Sequence, residues 1–451
     1  MIDEFVPITL LNFIRRKWLH VMAPLGFSLA SFFLTFLINY LLTQMLIPEA
    51  YGEATLTLAW LTILGSIVTL GADQTVLRFL TRLIDDKNLT EISDFLSWGA
   101  QLITKPVVVC LSLALIIFSI LSAGLISDQN SPWLSFFGIL LIATPILGIT
   151  NCLTSVLLAY RKTGHATFIQ YLAFQLCLVV ILIICLGYDI KNIRVTFIYE
   201  IFLGSLFILL ILSIWFCNKL PMSFMKHICT KHYTSNTNTN RSIWRQCAYR
   251  QATSMLIYNL IINLDFLLMG FYGKDTPTLG FYNLAIAISD IIWLVPQSLF
   301  QYLRSEIEVS LKSETKIVSL QKHWDKTLAL NAILVLSLFC IIFTESKYIL
   351  KIFDEAYLQT TPFLNILLIG NTLTALLGCP SIALRYSGNV NKLVFINLTA
   401  VILMIVLSML FVTLFGLIGI GYACAITWVL QCLAENLIAK KYTQLKPLKW
   451  I

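Results

Sequence analysis

Twelve stretches of about 20 apolar residues, each long enough to cross a hydrocarbon core of about 30 Å, dominate this chain. They lie near Val21–Ile47, Ala54–Leu80, Thr104–Leu125, Pro132–Leu158, Ala166–Leu186 and Val195–Phe216. The second set runs near Trp244–Phe271, Leu279–Leu303, Thr327–Phe343, Pro362–Leu384, Leu393–Phe415 and Leu417–Ile438. Backbone polar groups find no water in lipid, so a chain of this pattern folds as a bundle of membrane-spanning helices. Composition agrees: 58% of the 451 residues are hydrophobic and 12% are charged, against about a quarter charged in a soluble domain. The third span has two possible starts, near Glu91 as one long helix or at Pro106.

Charge fixes an expected orientation. Outside the spans, basic residues fall mainly in alternate joins. With both termini in the cytoplasm, only Lys191, Arg194, Lys274, Lys347 and Lys351 of the 31 lysines and arginines face outward. The net charge of +8 is therefore a topology signal distributed between spans, and nucleic acid is not an expected partner. The polar segment from Asn218 to Arg241 divides the chain into residues 1–217, a linker 218–241, and residues 242–451. Six spans return each half to its starting side, so the halves are expected to be parallel copies about an axis normal to the membrane.

Two sets of markers repeat between the halves. In the eighth span, Asn283, Asp290, Gln297, Gln301 and Arg304 fall within roughly 60° of helical arc. Thr55, Thr62, Thr69 and Asp73, with Ser66 added, match this stripe about 228 residues earlier in the second span. Gly52 and Gly280 repeat at the same spacing, and Arg161-Lys162-Thr163-Gly164 parallels Arg385-Tyr386-Ser387-Gly388. Hydrocarbon does not solvate such stripes, so both are expected to face a wet interior. A carboxylate at Asp290, near mid-membrane, costs about 2.5–3.5 kcal/mol on insertion scales and calls for a function or a partner.

Other candidates each carry two readings. Arg250, Ser254, Tyr258 and Asp265 share a face of the seventh span within about 80°. Arg250 either meets an anionic substrate at the inner mouth or snorkels to headgroups. Asp265 is either an ion-coupling carboxylate or a structural partner. Lys105 reaches into the membrane if the third helix starts near Glu91, and is interfacial if Pro106 starts it. Glu200 and Glu435 sit near helix ends and are assigned to the interface. Most of the 11 cysteines lie in apolar spans, where they act as small hydrophobes. His227, Cys229 and His232 lack a fourth ligand, so no metal site is expected. No phosphate-binding loop, zinc-protease helix or nucleophile elbow occurs, and neither an enzyme activity nor a cofactor is expected.

Met45-Leu46-Ile47-Pro48-Glu49-Ala50-Tyr51-Gly52, leading into Gly71-Ala72-Asp73-Gln74-Thr75-Val76-Leu77-Arg78, resembles the opening of bacterial O-antigen-type polysaccharide flippases. Asp265-Phe266-Leu267-Leu268-Met269-Gly270, Gly280-Phe281-Tyr282 and Phe353-Asp354-Glu355-Ala356-Tyr357 add to it. The pattern is similar to that of the multidrug/oligosaccharidyl-lipid/polysaccharide superfamily, which also contains MATE exporters and lipid II flippases. The resemblance implies an all-α integral membrane protein with two six-helix lobes around a central cavity. It implies a polyprenyl-diphosphate-linked oligosaccharide crossing the bacterial cytoplasmic membrane, with H+ or Na+ as candidate coupling ion. A polysaccharide polymerase and glycosyltransferases become candidate partners beside the membrane lipids. The first span offers only Asn39 and Gln44 where some MATE antiporters carry a coupling carboxylate. A MATE-like small-molecule antiporter is the alternative, and a glycosyltransferase-recruiting scaffold a third reading.

Overall fold

The computed structural model describes residues 26, 29–86, 88–122, 132–187, 195–220, 238–273, 277–310, 314–443 and 445. Among these the secondary structure is helical throughout. In the first half, α1 (Leu29–Met45) is followed by α2 (Pro48–Thr69), α3 (Ala72–Asp85), α4 (Leu89–Ser122) and α5 (Pro132–Ala159). A fifth crossing combines α6 (Thr163–Thr167), a π-helical turn (Phe168–Ala173) and α7 (Phe174–Gly187), and α8 (Val195–Asn218) completes the half. The second half contains α9 (Asn238–Tyr272), α10 (Thr278–Ser289), α11 (Ile291–Ser310) and α12 (Glu314–Phe353). A 3-10 turn (Glu355–Thr360), α13 (Thr361–Leu376), α14 (Pro380–Tyr386), α15 (Val390–Phe415) and α16 (Ile418–Tyr442) follow.

Among the described residues ten helices, counting the fifth crossing and α10–α11 as continuous, are long and apolar enough to cross a membrane. The shorter α1 and the broken pair α13–α14 account for the other two expected spans. The third span is one long helix from Leu89, with Pro106 inside it. The ninth is far longer than the apolar core read from sequence, because its polar flanks stay helical from Glu314 to Phe353. The linker is shorter than expected, since α9 begins at Asn238; residues 221–237, including His227, Cys229 and His232, lie outside the described residues.

Breaks in the second and eighth crossings matter most. After Thr69 the chain passes through two left-handed residues, Leu70 (φ 46°) and Gly71 (φ 71°), before α3 begins. A β-carbon on Gly71 would collide with the Ala248 carbonyl oxygen, and would sit 2.6 Å from the Ala252 nitrogen, so the break lies directly on α9. In the eighth crossing α10 stops at Ser289, with Asp290 as its C-cap, and Pro296 in α11 removes the amide that would bond to the Ile292 carbonyl. The matching joins after the fourth and tenth crossings also share a left-handed residue, Arg161 (φ 58°) and Gly388 (φ 81°).

The halves meet through small residues and aromatics. At the end that the basic residues assign to the outside, Gly52 and Gly280 let α2 and α10 touch. There Tyr51 and Phe281 each pack edge-on against the ring of Tyr357. Nearer the inner end, Trp244 at the start of α9 seats against Phe95 and Trp98 of α4, with centroids 4.9 and 5.6 Å away. The inner part of α9 thus packs into the core of the first half, while Ile261, Leu264 and Phe266 further along it join a core shared by both halves.

Candidate functional site

A cavity of about 510 Å³ lies mainly in the second half, walled by α9–α11 and α13–α16. Phe32 of α1 and Tyr171 of the π-helical turn are the first half's contribution. The wall is built where helices break: Asp290 follows the end of α10, and Gly378-Cys379-Pro380 separates α13 from α14. Breaks expose polar backbone, which membrane proteins tolerate where it lines a cavity or packs in protein.

Asp265 and Asp290 both line this cavity but differ in environment. Asp265 is buried, and its Oδ2 accepts hydrogen bonds from the Tyr282 hydroxyl at 3.0 Å and the Cys424 thiol at 3.3 Å. Asp290 is exposed on the cavity wall, and its Oδ1 accepts from Asn371 Nδ2 at 3.1 Å. Toward the inner end, Gln431 Nε2 donates to Asn397 Oδ1 at 3.0 Å and to Glu435 Oε1 at 3.3 Å. Arg385 of α14 also lines the cavity, with its guanidinium 5.8 Å from the Tyr258 ring centroid. Three carboxyl groups and one guanidinium therefore share this wall. Hydroxyls, amines or a hydrated cation can exchange hydrogen bonds with it.

The sequence-derived candidates separate into two groups. Asp265, Asp290 and Gln297 line the cavity. Asn283 lies nearer the outer end and links the halves, donating from Nδ2 to the Tyr51 hydroxyl at 2.6 Å, while Tyr51 donates to Asn39 Oδ1 at 2.7 Å. The stripe on α2 does not reach the cavity. Ser66 and Thr69 are buried, and their hydroxyls donate to the carbonyls of Ile63 and Ser66 on their own helix. Thr62 is exposed, donates to the Ala59 carbonyl, and accepts from Asn263 Nδ2 of α9 at 3.3 Å.

Asp73 lies beyond the Leu70–Gly71 break, in α3, where it still meets the Thr69 hydroxyl and Gln74 Nε2 lies 3.2 Å from its Oδ2. Lys105 lies exposed in the middle of α4 and Arg250 is exposed on α9; neither lines the cavity. The side chains of Gln301 and Arg304 lie outside the described residues.

Sequence reasoning missed Asn371, Asn397, Gln431, Glu435 and Arg385. A signal existed for part of this set. Cys424, Trp428, Gln431 and Glu435 fall within about 60° of arc on α16. Glu435 is 6% exposed and faces the cavity wall, not the membrane interface expected for it. Asn371 and Asn397 are amides in the apolar stretches of mainly apolar helices, and only tertiary packing reveals what they face.

No protein-family model and no curated protein sequence matches the chain. Solved structures do. The inward-facing conformation of a multidrug-resistance MATE-family transporter of the MOP superfamily superposes with a TM-score of 0.67 at 11% identity, covering 91% of this chain and 94% of that one. The lipid II flippase MurJ in an inward closed conformation gives 0.64 at 16% identity, covering 92% and 87%. A point mutant of the Vibrio cholerae MATE transporter VcmN gives 0.59 at 14% identity, covering 95% and 97%. At such identities the likeness is one of fold. This multi-pass membrane protein has the fold common to MATE transporters and the lipid II flippase MurJ.

Proposed function

We propose that the chain is an alternating-access translocator in the bacterial cytoplasmic membrane, with both termini cytoplasmic. Its substrate is a polyprenyl-diphosphate-linked oligosaccharide bound for surface polysaccharide. The observation that carries this reading is the set of polar side chains, Asp290, Gln297, Asn371, Gln431 and Glu435, that line one cavity. Such a wall hydrogen-bonds sugar hydroxyls in place of water while the polyprenyl tail stays in lipid. Arg385 on the cavity wall, with Arg250 exposed on α9, offers cationic partners for a diphosphate. Residues 1–217 and 242–451 act as the two rocking bodies, joined by 218–241. Asp265 and Asp290 are the candidates for binding a coupling H+ or Na+.

A second reading, export of small cationic molecules in exchange for an ion, draws support from the three cavity carboxyls set against one guanidinium. Gene deletion separates the two. Under the first reading, lipid-linked sugar accumulates on the cytoplasmic leaflet and surface polysaccharide is lost. Drug sensitivity with intact surface polysaccharide would overturn it in favour of the second.

A further inference from the structure

The fifth crossing contains a feature that the polar wall of the second half does not explain. Residues Phe168–Ala173 form a π-helical turn, with regular helix on either side. Its sequence, Phe-Ile-Gln-Tyr-Leu-Ala, contains neither proline nor glycine to force the distortion. A π turn inserts an extra residue, shifts the register of the faces beyond it, and recurs at functional sites. Here Ile169, Leu172 and Ala173 are buried, whereas Tyr171 is 42% exposed and lines the cavity.

The turn is tied down from outside. Gln175 lies 2.8 Å from Thr35 Oγ1 of α1. In the amide orientation that satisfies its surroundings, it donates to the Tyr171 carbonyl at 2.8 Å and to Ser31. This bond occupies the carbonyl of the very residue whose side chain turns toward the cavity. From the second half, Tyr258 (41% exposed) lines the same cavity, as do Trp293 and Trp428, whose centroids are 6.5 Å apart. Aromatic faces beside amides and carboxylates make a surface suited to a sugar ring: the axial C–H groups meet the π face while the hydroxyls meet the polar groups.

On the reading of the substrate given above, we propose that the π-helical turn positions Tyr171 as the first half's contact with a sugar ring of the lipid-linked substrate. Tyr171 sets affinity for that ring through its aromatic face. The first half then grips the headgroup through the fifth crossing, not through the hydroxyl stripe of α2.

The test uses full-length protein in sealed proteoliposomes and polyprenyl-diphosphate oligosaccharides extracted from cells lacking the gene. Translocation is followed as exposure of the sugar to an impermeant oxidant. Tyr171→Phe and Tyr171→Trp keep the face and should stay within about twofold of the native half-saturation concentration. Tyr171→Leu keeps apolar bulk without a face and should raise it about tenfold, the size of a lost aromatic contact. Tyr171→Ala serves the same comparison should the leucine variant fail to fold. Native behaviour of the leucine or alanine variant, or an equal loss in the phenylalanine variant, overturns the role of the ring. Failure of the native protein to move the lipid at all overturns the substrate reading instead, and this inference with it.

Discussion

Gly52 and Gly280 face each other where α2 meets α10, so closely that a β-carbon on Gly52 would stand 2.7 Å from the Gly280 amide nitrogen. On Gly280 it would run into the Pro48 carbonyl oxygen, which is backbone and cannot swing aside. The pair that repeats in the sequence thus lies on the seam where α2 meets α10. Gly280→Ala should force the halves apart at this end, at a cost of about 1–3 kcal/mol for overpacking. In alternating access that cost falls on the outward-closed state. A cysteine placed at Asn283 should then be labelled faster by an impermeant outer reagent in the Gly280→Ala background. Unchanged labelling would mean that the seam opens elsewhere.

One turn inward, the seam is polar. Tyr51 links α1 to α10 by donating to Asn39 and accepting from Asn283. Tyr51→Phe keeps the ring against Tyr357 but strands both amides, Asn39 in a buried setting and Asn283 in a half-buried one. Each stranded polar group costs about 1–3 kcal/mol, less whatever water regains when the seam opens. The variant should therefore populate the outward-open state more, read as a longer distance between spin labels on Glu49 and Glu355. A distance distribution identical to native would rule the hydroxyl out as a latch.

The two cavity aspartates should separate function from stability. Asp290→Ala removes an exposed carboxylate whose one recorded donor is Asn371, so thermal stability should stay within about 0.5 kcal/mol of native. Its translocation rate should fall about tenfold or more, since a mid-membrane carboxylate is retained for use. Asp265→Ala leaves the Tyr282 hydroxyl and the Cys424 thiol without their acceptor, and should cost about 1–3 kcal/mol. Melting of the purified variants, read by fluorescence-detected size exclusion, checks the order. A more damaged Asp290→Ala would mean that Asp290, not Asp265, is the carboxylate on which the fold depends.

Hydropathy alone placed the twelve crossings, because lipid leaves a chain no alternative to satisfying its backbone within each span. The cavity was legible only where the side chain cannot satisfy itself. A carboxylate or amide at Asp290 or Gln297 needs outside partners, so its place on an apolar helix implies a polar environment. Serine and threonine differ, since their hydroxyls can bond back to a carbonyl three or four residues earlier. Ser66 and Thr69 do so, and the hydroxyl stripe of α2 therefore carries no demand for water. The breaks at Leu70–Gly71 and Asp290 also rotate each stripe partway along, which a uniform 100° per residue conceals.

That distinction gives a prediction on α2 itself. Ser66→Ala and Thr69→Val remove hydroxyls that donate to carbonyls of their own helix, Thr69 also meeting the Asp73 carboxylate of α3, so translocation should stay within about twofold of native. Gly71→Ala, two residues on, is a different matter. Its φ of +71° disfavours any β-carbon, and the new methyl would meet the Ala248 carbonyl oxygen on α9. Left-handed strain of about 1–2 kcal/mol combines with that collision, and the variant should lose most of its folded yield or its activity. Purified yield and vesicle translocation, measured on the three variants together, decide the matter. Strong loss in Ser66→Ala with a tolerated Gly71→Ala would return the hydroxyl stripe to the substrate path and leave the break a passive joint.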